Sequence, residues 1–251
     1  MTKITIITVN YNDVKGLERT ILSVLNQSNT NYEFIVIDGN STDGSKAVIE
    51  KYRDKIDYDV SEPDTGIYNA MNKGIKAANG DYLLFMNSGD VLIDDKDILS
   101  LCEEKLIEDI VAFDCFLEED SKIVGKRTHI EKPTLYYVYK NGFKHQSTFI
   151  KKALFSIIGL YNETYKSSSD YEFWIRCFLQ PSTTSRSYTI PIAVFQLGGI
   201  SQHINREIQH KKIEEEWLPN LMPDFKLIEE LLPYKNSRVL KLVIKIQKWF
   251  K

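Results

Sequence analysis

The stretch Asp81-Tyr82-Leu83-Leu84-Phe85-Met86-Asn87-Ser88-Gly89-Asp90 decides how the rest of the chain is read. Its first half, Tyr82 to Met86, is an unbroken apolar run, the pattern of a strand buried on both faces of a sheet. Its second half is small and polar and ends on a carboxylate. A core strand that delivers Asn, Ser, Gly and Asp at its carboxyl end is built for ligand binding. In open α/β sheets the ligand crevice lies outside that end.

Upstream, three strand–helix units lead into this strand. Lys3 to Val9 is β-branched and almost wholly apolar, and it ends in the polar loop Asn10-Tyr11-Asn12-Asp13. Gly16 to Gln27 then places Leu17, Ile21, Val24 and Leu25 on one helical face. A second strand, Glu33 to Ile37, ends in Asp38-Gly39-Asn40-Ser41-Thr42-Asp43-Gly44. Ser41 or Thr42 is expected to cap the following helix, with Ala47, Val48, Ile49 and Tyr52 inward. A short third strand, Asp57 to Val60, runs into Ser61-Glu62-Pro63-Asp64-Thr65-Gly66 and a helix from Ile67 to Ala78. Strand–helix repeats with short connections predict a parallel sheet with right-handed crossovers. The strand ends at Asn10, Asp38, Asp64 and Asn87 to Asp90 then converge on one edge.

Downstream the pattern changes. Asp94 to Glu104 reads as a helix, and Ile110 to Leu117 and Lys122 to His129 as partner strands. No clean helix separates those two, so the second half is expected to be antiparallel or mixed. His145 to Ile150 reads as a strand, Ala153 to Ile158 as a short helix and Ser168 to Leu179 as a helix. Tyr188 to Phe195 reads as a strand, followed by the loop Gln196 to Ser201. Asn205 to Trp217 is charged and helical, with Pro219 and Pro223 expected to break it. Residues 1–203 are therefore expected to form one domain, with a parallel half over 1–90 and a mixed half over 91–203. Residues 204–251 form a helical extension.

The 251 residues carry a net charge of -3, with 43% hydrophobic and 27% charged positions, an ordinary globular composition. The charge is uneven, because residues 235–251 hold six Lys or Arg and no acid. An acidic body with a basic tail argues against general nucleic-acid binding. Cys102, Cys115 and Cys177 are far apart in apolar settings, so buried free thiols are expected. The N-terminus shows no signal-peptide pattern and no run is long enough to span a membrane, which points to the cytoplasm or the inner membrane face.

No phosphate-cradling P-loop or GxGxxG is present, and no HExxH, CxxC or GxSxG. What remains is a set of carboxylates and amides at strand ends, with Asp170 and His145 in the second half. That chemistry suits a nucleoside diphosphate with a divalent cation, since Mg²⁺ and Mn²⁺ take oxygen ligands and share them with phosphates.

Three stretches carry a resemblance: Ile7-Thr8-Val9-Asn10-Tyr11-Asn12, Val36 to Gly44, and Ser61-Glu62-Pro63-Asp64-Thr65-Gly66-Ile67-Tyr68-Asn69-Ala70-Met71-Asn72-Lys73-Gly74. In order and spacing they resemble family 2 glycosyltransferases of the GT-A fold, in particular those building bacterial capsule, colanic-acid or O-antigen polysaccharide. The resemblance covers about residues 3–201. It implies a Rossmann-like α/β domain that moves a sugar, with inversion, from a nucleotide donor such as a UDP-sugar to a hydroxyl acceptor. Thr8, Asn10, Tyr11, Asp38, Asp64, Asn72 and Asn87 would line the donor site, with Asp38 pairing a pyrimidine imide. Many relatives carry Arg where this chain has Met71. The family's metal motif, Asp-x-Asp, corresponds here to Asn87-Ser88-Gly89-Asp90, leaving Asp90 as the metal ligand for Mn²⁺ or Mg²⁺. Ser169-Asp170-Tyr171-Glu172 matches the general-base segment, with Asp170 as base and partial burial expected to raise its pKa. His145, Gln146, Gly198, Gly199, Ser201 and His203 are further candidates for the diphosphate or acceptor.

The tail goes beyond the resemblance. At 100° per residue, Val239, Leu242, Val243, Ile246 and Phe250 share one face and Arg238, Lys241, Lys245 and Lys248 the other. That is an interfacial amphipathic pattern, suited to an acceptor carried on a polyprenyl lipid. Two other readings stay open at this point: a sugar-phosphate nucleotidyltransferase and a non-catalytic nucleotide-sugar-binding partner subunit. The first would need a Gly-rich, basic loop after the first strand, which Asn10-Tyr11-Asn12 lacks.

Overall fold

A computed structural model describes residues 3–198 and 206–232. The chain divides into two compact units, one up to Gln209 and one from His210. The first is built on nine strands ordered β3-β2-β1-β4-β8-β6-β9-β5, with β7 attached to β6. Four of these strands, β1 (Ile4–Asn10), β2 (Tyr32–Asp38), β3 (Tyr58–Ser61) and β4 (Tyr82–Phe85), are parallel and form the first half. Beyond β4 the sheet becomes mixed. β8 (Thr148–Lys151) runs antiparallel to both β4 and β6 (Ile110–Glu119), and β9 (Ser185–Gln196) runs parallel to β6. β7 (Lys122–Arg127) and the two-residue β5 (Val91–Leu92) are antiparallel edges.

Both faces of the parallel half are covered, which is why β1 and β4 read as continuous apolar runs. Ile4, Ile6, Phe34, Val36, Leu84 and Met86 lie in one core with Leu17, Ile21 and Val24 of α1 (Val14–Leu25). Val48 and Ile49 of α2 (Ser45–Tyr52) join that core. On the other face α3 (Ile67–Ala77) crosses β1 and β2 at Gly74, where an added Cβ would stand 2.5 Å from Ile7 Cγ2. Only glycine allows that approach. Phe85 continues this face into an aromatic cluster with Phe155 of α6 (Lys152–Ile158), Tyr161 and Phe173 of α7 (Ser169–Leu179).

Several expectations shift. Ser41 and Thr42 do not cap α2. The helix starts after Gly44 in left-handed backbone, and Asp43 accepts from Ser45 N at 3.0 Å instead. Ala47 is exposed. The helix expected from Asp94 shrinks to α4 (Ile98–Glu103), and α5 (Leu135–Asn141) appears where none was read. His145 opens a 3-10 turn ahead of β8 and does not lie in a strand. Further along the chain α8 (Arg206–Trp217) ends before Pro219, as expected. Pro223, by contrast, sits in the first turn of α9 (Met222–Leu231), where its missing N–H costs nothing. Cys102, Cys115 and Cys177 are free and buried. No helix among the described residues is long and apolar enough to cross a membrane.

Candidate functional site

The order β3-β2-β1-β4 lines up four strand ends, and parallel register sets Asn10 opposite Asp38 and Asp38 opposite Ser61. Side chains join them into a ladder. Ser88 Oγ donates to Asn10 Oδ1 at 2.8 Å, and Asn10 Nδ2 donates to Asp38 Oδ1 at 2.7 Å. Ser41 Oγ adds a second bond to Oδ1, while Ser41 N and Ser61 Oγ reach Oδ2 at 2.9 and 2.5 Å. Burial pushes the Asp38 carboxyl up, but the hydroxyl and amide donors of Ser41, Ser61 and Asn10 outweigh it and hold the group ionised.

This changes the expected part of Asp38. It is 0% exposed and four donors occupy its lone pairs, so it cannot take a base imide N–H unless a hydroxyl swings away. Asp38 organises the strand ends. The remaining candidate groups lie around it. Thr8 Oγ1 is buried with no partner among the described residues, and Tyr11 is 58% exposed at the mouth. Asn12 and Asn40 take left-handed backbone in the two loops, which Asn tolerates. Asp64 reaches back over Gly39, where an added Cβ would meet Asp64 Oδ2 at 2.5 Å. Burial raises its pKa, with the Gly66 amide acting against that.

Asn72 has a structural part. Its Nδ2 donates to Tyr161 O at 2.9 Å and Glu163 Oε1 at 2.8 Å, and its Oδ1 accepts from Tyr161 N at 3.1 Å. Its amide ties α3 to the turn after α6, which leaves one lone pair of Oδ1 unused.

At the end of β4, Asn87 Nδ2 lies 3.0 Å from His145 Nε2, and Asn87 Oδ1 is buried without a partner among the described residues. Gly89 has φ +94, a conformation that strains any side chain, and a Cβ there would point at the Gln196 side chain. Asp90 is 3% exposed, accepts from Gln196 N at 3.1 Å and from the Gln146 side chain, and caps no helix. Burial pushes its carboxyl up to about 6, with His145 the main opposing influence. Gln146 is itself buried, and its side chain bonds to Asp90.

These residues do not fit a resident divalent cation. Position 87 offers a neutral amide and position 89 no side chain, and the one carboxylate of the motif is buried and already accepts from Gln196 N and the Gln146 side chain. No cluster of three metal-ligating side chains forms among the described residues.

Asp170 stands in the first turn of α7, one residue inside its start and so not its cap. Its Oδ1 accepts from Tyr68 Oη and from Tyr171 N, both at 2.9 Å, and its Oδ2 lies 3.4 Å from His145 Nδ1. The side chain remains 22% exposed. Burial raises the carboxyl, as expected, but His145 and the Tyr68 and Tyr171 donors more than reverse it, so the net shift is downward. Tyr68 was not singled out from sequence. Its only signal is its place in the Gly66-Ile67-Tyr68 helix start. Lys144 was missed as well. Its ammonium lies 4.6 Å from the Phe195 ring, within electrostatic reach of Asp170, Asp90 and Arg206. Gly198 takes φ +94, while Gly199, Ser201 and His203 lie outside the described residues.

Comparison with known proteins matches residues 5–161 to the family described as Glycosyl transferase family 2. The chain is 28% identical over 189 residues to a PGL/p-HBAD biosynthesis glycosyltransferase of Mycobacterium tuberculosis, covering 72% of each. It is 32% identical over 182 residues to an uncharacterized glycosyltransferase of the same species, covering 70% of this chain and 69% of that one. Among solved structures it is similar to S. aureus TarS 1-349 in complex with UDP-GlcNAc, with a TM-score of 0.66 and 20% identity. That likeness covers 78% of this chain and 59% of the TarS chain. The mannosyltransferase PcManGT from Pyrobaculum calidifontis, in complex with GDP-Man and Mn²⁺, gives a TM-score of 0.59 at 15% identity over 98% of this chain and 79% of that one. These structural likenesses carry the fold, which is GT-A.

Proposed function

Because the chain belongs to glycosyl transferase family 2, we propose that it moves a sugar from a nucleoside-diphosphate donor to an acceptor hydroxyl with inversion, using Asp170 as general base. The nucleotide occupies the crevice outside β1, β2 and β4, against Thr8, Asn10, Tyr11, Asp64 and Asn87, with Asp38 holding the strand ends in register. TarS binds UDP-GlcNAc and PcManGT binds GDP-Man, and a UDP-sugar is the donor class favoured for this chain. The catalytic domain spans residues 1–203. A saccharide acceptor on a polyprenyl diphosphate, in bacterial surface-polysaccharide synthesis, fits the basic amphipathic tail, which lies outside the described residues.

The observation that carries this reading is the state of Asp170: partly open to solvent and kept ionised by hydrogen bonds despite its low-dielectric surroundings. As the acceptor oxygen attacks the anomeric carbon, its proton passes to the carboxylate. The bond to the diphosphate breaks, and the electron pair leaves with the nucleotide. A carboxylate whose proton affinity is lowered is a weaker base than burial alone would make it, but it is in the correct form across neutral pH. The charge of the leaving group is met by Lys144 and by backbone donors, and no step is routed through a metal. A panel of UDP- and GDP-sugars, read by thermal shift, identifies the donor by the largest stabilisation. With that donor, Asp170→Asn retains binding while turnover falls by about 10²-fold or more. Unchanged turnover removes Asp170 from the chemistry.

A further inference from the structure

We propose that His145 and Tyr68 are positioning residues that aim Asp170 so that Oδ2 is its proton-accepting oxygen, and that Asn87 selects the imidazole tautomer that makes this possible. The inference rests on the reading of Asp170 as base. The two oxygens of Asp170 are unequally loaded. Oδ1 receives two donors at full hydrogen-bond distance, Tyr68 Oη and Tyr171 N, each at 2.9 Å. Among the described residues, Oδ2 receives only His145 Nδ1, at 3.4 Å. An oxygen with two short bonds has little capacity for a third, so the acceptor proton goes to Oδ2. Tyr68 comes from α3 and Tyr171 from α7, so Oδ1 is gripped from two elements and the carboxylate plane is fixed.

The orientation of His145 follows from its other nitrogen. Asn87 presents its amide nitrogen to Nε2 at 3.0 Å, and an amide N–H₂ is a donor only. Nε2 must accept, so a neutral ring carries its proton on Nδ1 and points it at Asp170. On a neutral ring the reversed amide would demand a proton on Nε2 and set the Nδ1 lone pair against a carboxylate oxygen, which is repulsive. For a neutral ring this is the arrangement that suits both His145 nitrogens; an imidazolium would instead donate from both, to a reversed Asn87 amide and to Asp170. The ring is only 14% exposed and sits in the tight turn His145–Ser147, whose Ser147 N bonds to Lys144 O at 3.0 Å. An amide at position 87, where a carboxylate is the family pattern, thus has a use in this chain. A carboxylate could not donate to Nε2.

The test begins with the unmodified full chain. Nitrogen-15 NMR of histidine-labelled protein at neutral pH should show one ring in the Nδ1–H form, assigned to His145 by its disappearance in H145Q. The Nε2–H form or a doubly protonated ring would overturn the tautomer proposal. In N87D that signature should be lost. Its persistence would show that Asn87 does not set the tautomer. The kinetic arm uses UDP released from UDP-N-acetylglucosamine, or from whichever sugar nucleotide of the panel turns over. Y68F and H145A should each lower kcat by about 10-fold or more with donor KM nearly unchanged, and H145Q, which retains an N–H, should recover part of that loss. UDP affinity and the melting curve of each variant report whether it is folded. Full kcat in folded Y68F and H145A, with D170N inactive, sinks the positioning roles and leaves the base reading standing. An active D170N sinks the base reading instead, while the tautomer is still read independently.

Discussion

Asn10 and Asp38, the last residues of β1 and β2, stand opposite each other in a parallel ladder and are bonded side chain to side chain at 2.7 Å. The nucleotide crevice therefore rests on a buried ionic hub. Removing Asp38 strands the donors of Asn10, Ser41 and Ser61 together. Asp38→Ala should cost about 3 kcal/mol of stability as well as nucleotide affinity, and Ser61→Ala about 1 kcal/mol. Urea melts with and without UDP separate the two effects. An Asp38→Ala protein as stable as the parent would return Asp38 to a purely ligand-facing part.

Asn72 should behave in the opposite way. Asn72→Ala breaks three bonds to the 161–163 turn, two of them to the Tyr161 backbone. A loss of about 3 kcal/mol is expected, with UDP affinity of the folded fraction unchanged. Calorimetry showing weakened UDP binding at full stability would put Asn72 back in the pocket.

Asp90 gives a pH signature. Its folded pKa of about 6 lies above that of an unfolded aspartate, so the native state holds the proton more tightly. Its contribution is present below pH ~4 and is lost as pH rises through 6, a change of about 3 kcal/mol at most. Asp38 and Asp170 have lowered values and act in the other sense, losing stability as pH falls. Asp90→Asn should therefore flatten the fall in stability between pH 4 and 6 and leave the acid side intact. Identical stability–pH curves would contradict the burial of an ionisable Asp90.

Chelation should leave nucleotide binding standing. With an amide at 87 and no side chain at 89, the chain offers a cation little beyond what phosphates supply. UDP affinity in EDTA should stay within about tenfold of that in Mn²⁺. A larger loss would mean that the diphosphate recruits an essential cation.

Truncation after Tyr234 removes the basic amphipathic tail and no site residue. Binding to anionic vesicles should disappear, at about 1 kcal/mol per lost charge, while UDP affinity and the melting curve are retained. A lower melting temperature with vesicle binding negligible throughout would mark the tail as a packed helix.

Much of this was legible from local pattern. The first four strands and the convergence of their ends follow from apolar runs that stop at polar residues, and Asp170 stood out in Ser169-Asp170-Tyr171-Glu172. What escaped depended on distant partners. Asn72 finds Tyr161 across 89 positions and Tyr68 finds Asp170 across 102, and nothing in either neighbourhood announces the other. The downward shift of Asp170 was misjudged for the same reason, since burial can be guessed locally and the donors that overcome it cannot. α5 was missed because Leu135-Tyr136-Tyr137-Val138-Tyr139 is rich in residues that favour strands.

The pairing of β5 with β9 has a consequence for the order in which the molecule can be made. Asn87 to Asp90 leaves the ribosome early, yet Asp90 is anchored by Gln196 N, and Ile93 N bonds to Ile192 O. About a hundred further residues must be synthesised before this turn can lock, so a nascent chain can assemble β1 to β4 while the turn between nucleotide and base is still loose. A stalled or prematurely terminated chain ending before β9 would lack both of these bonds, and the turn would stay unlocked.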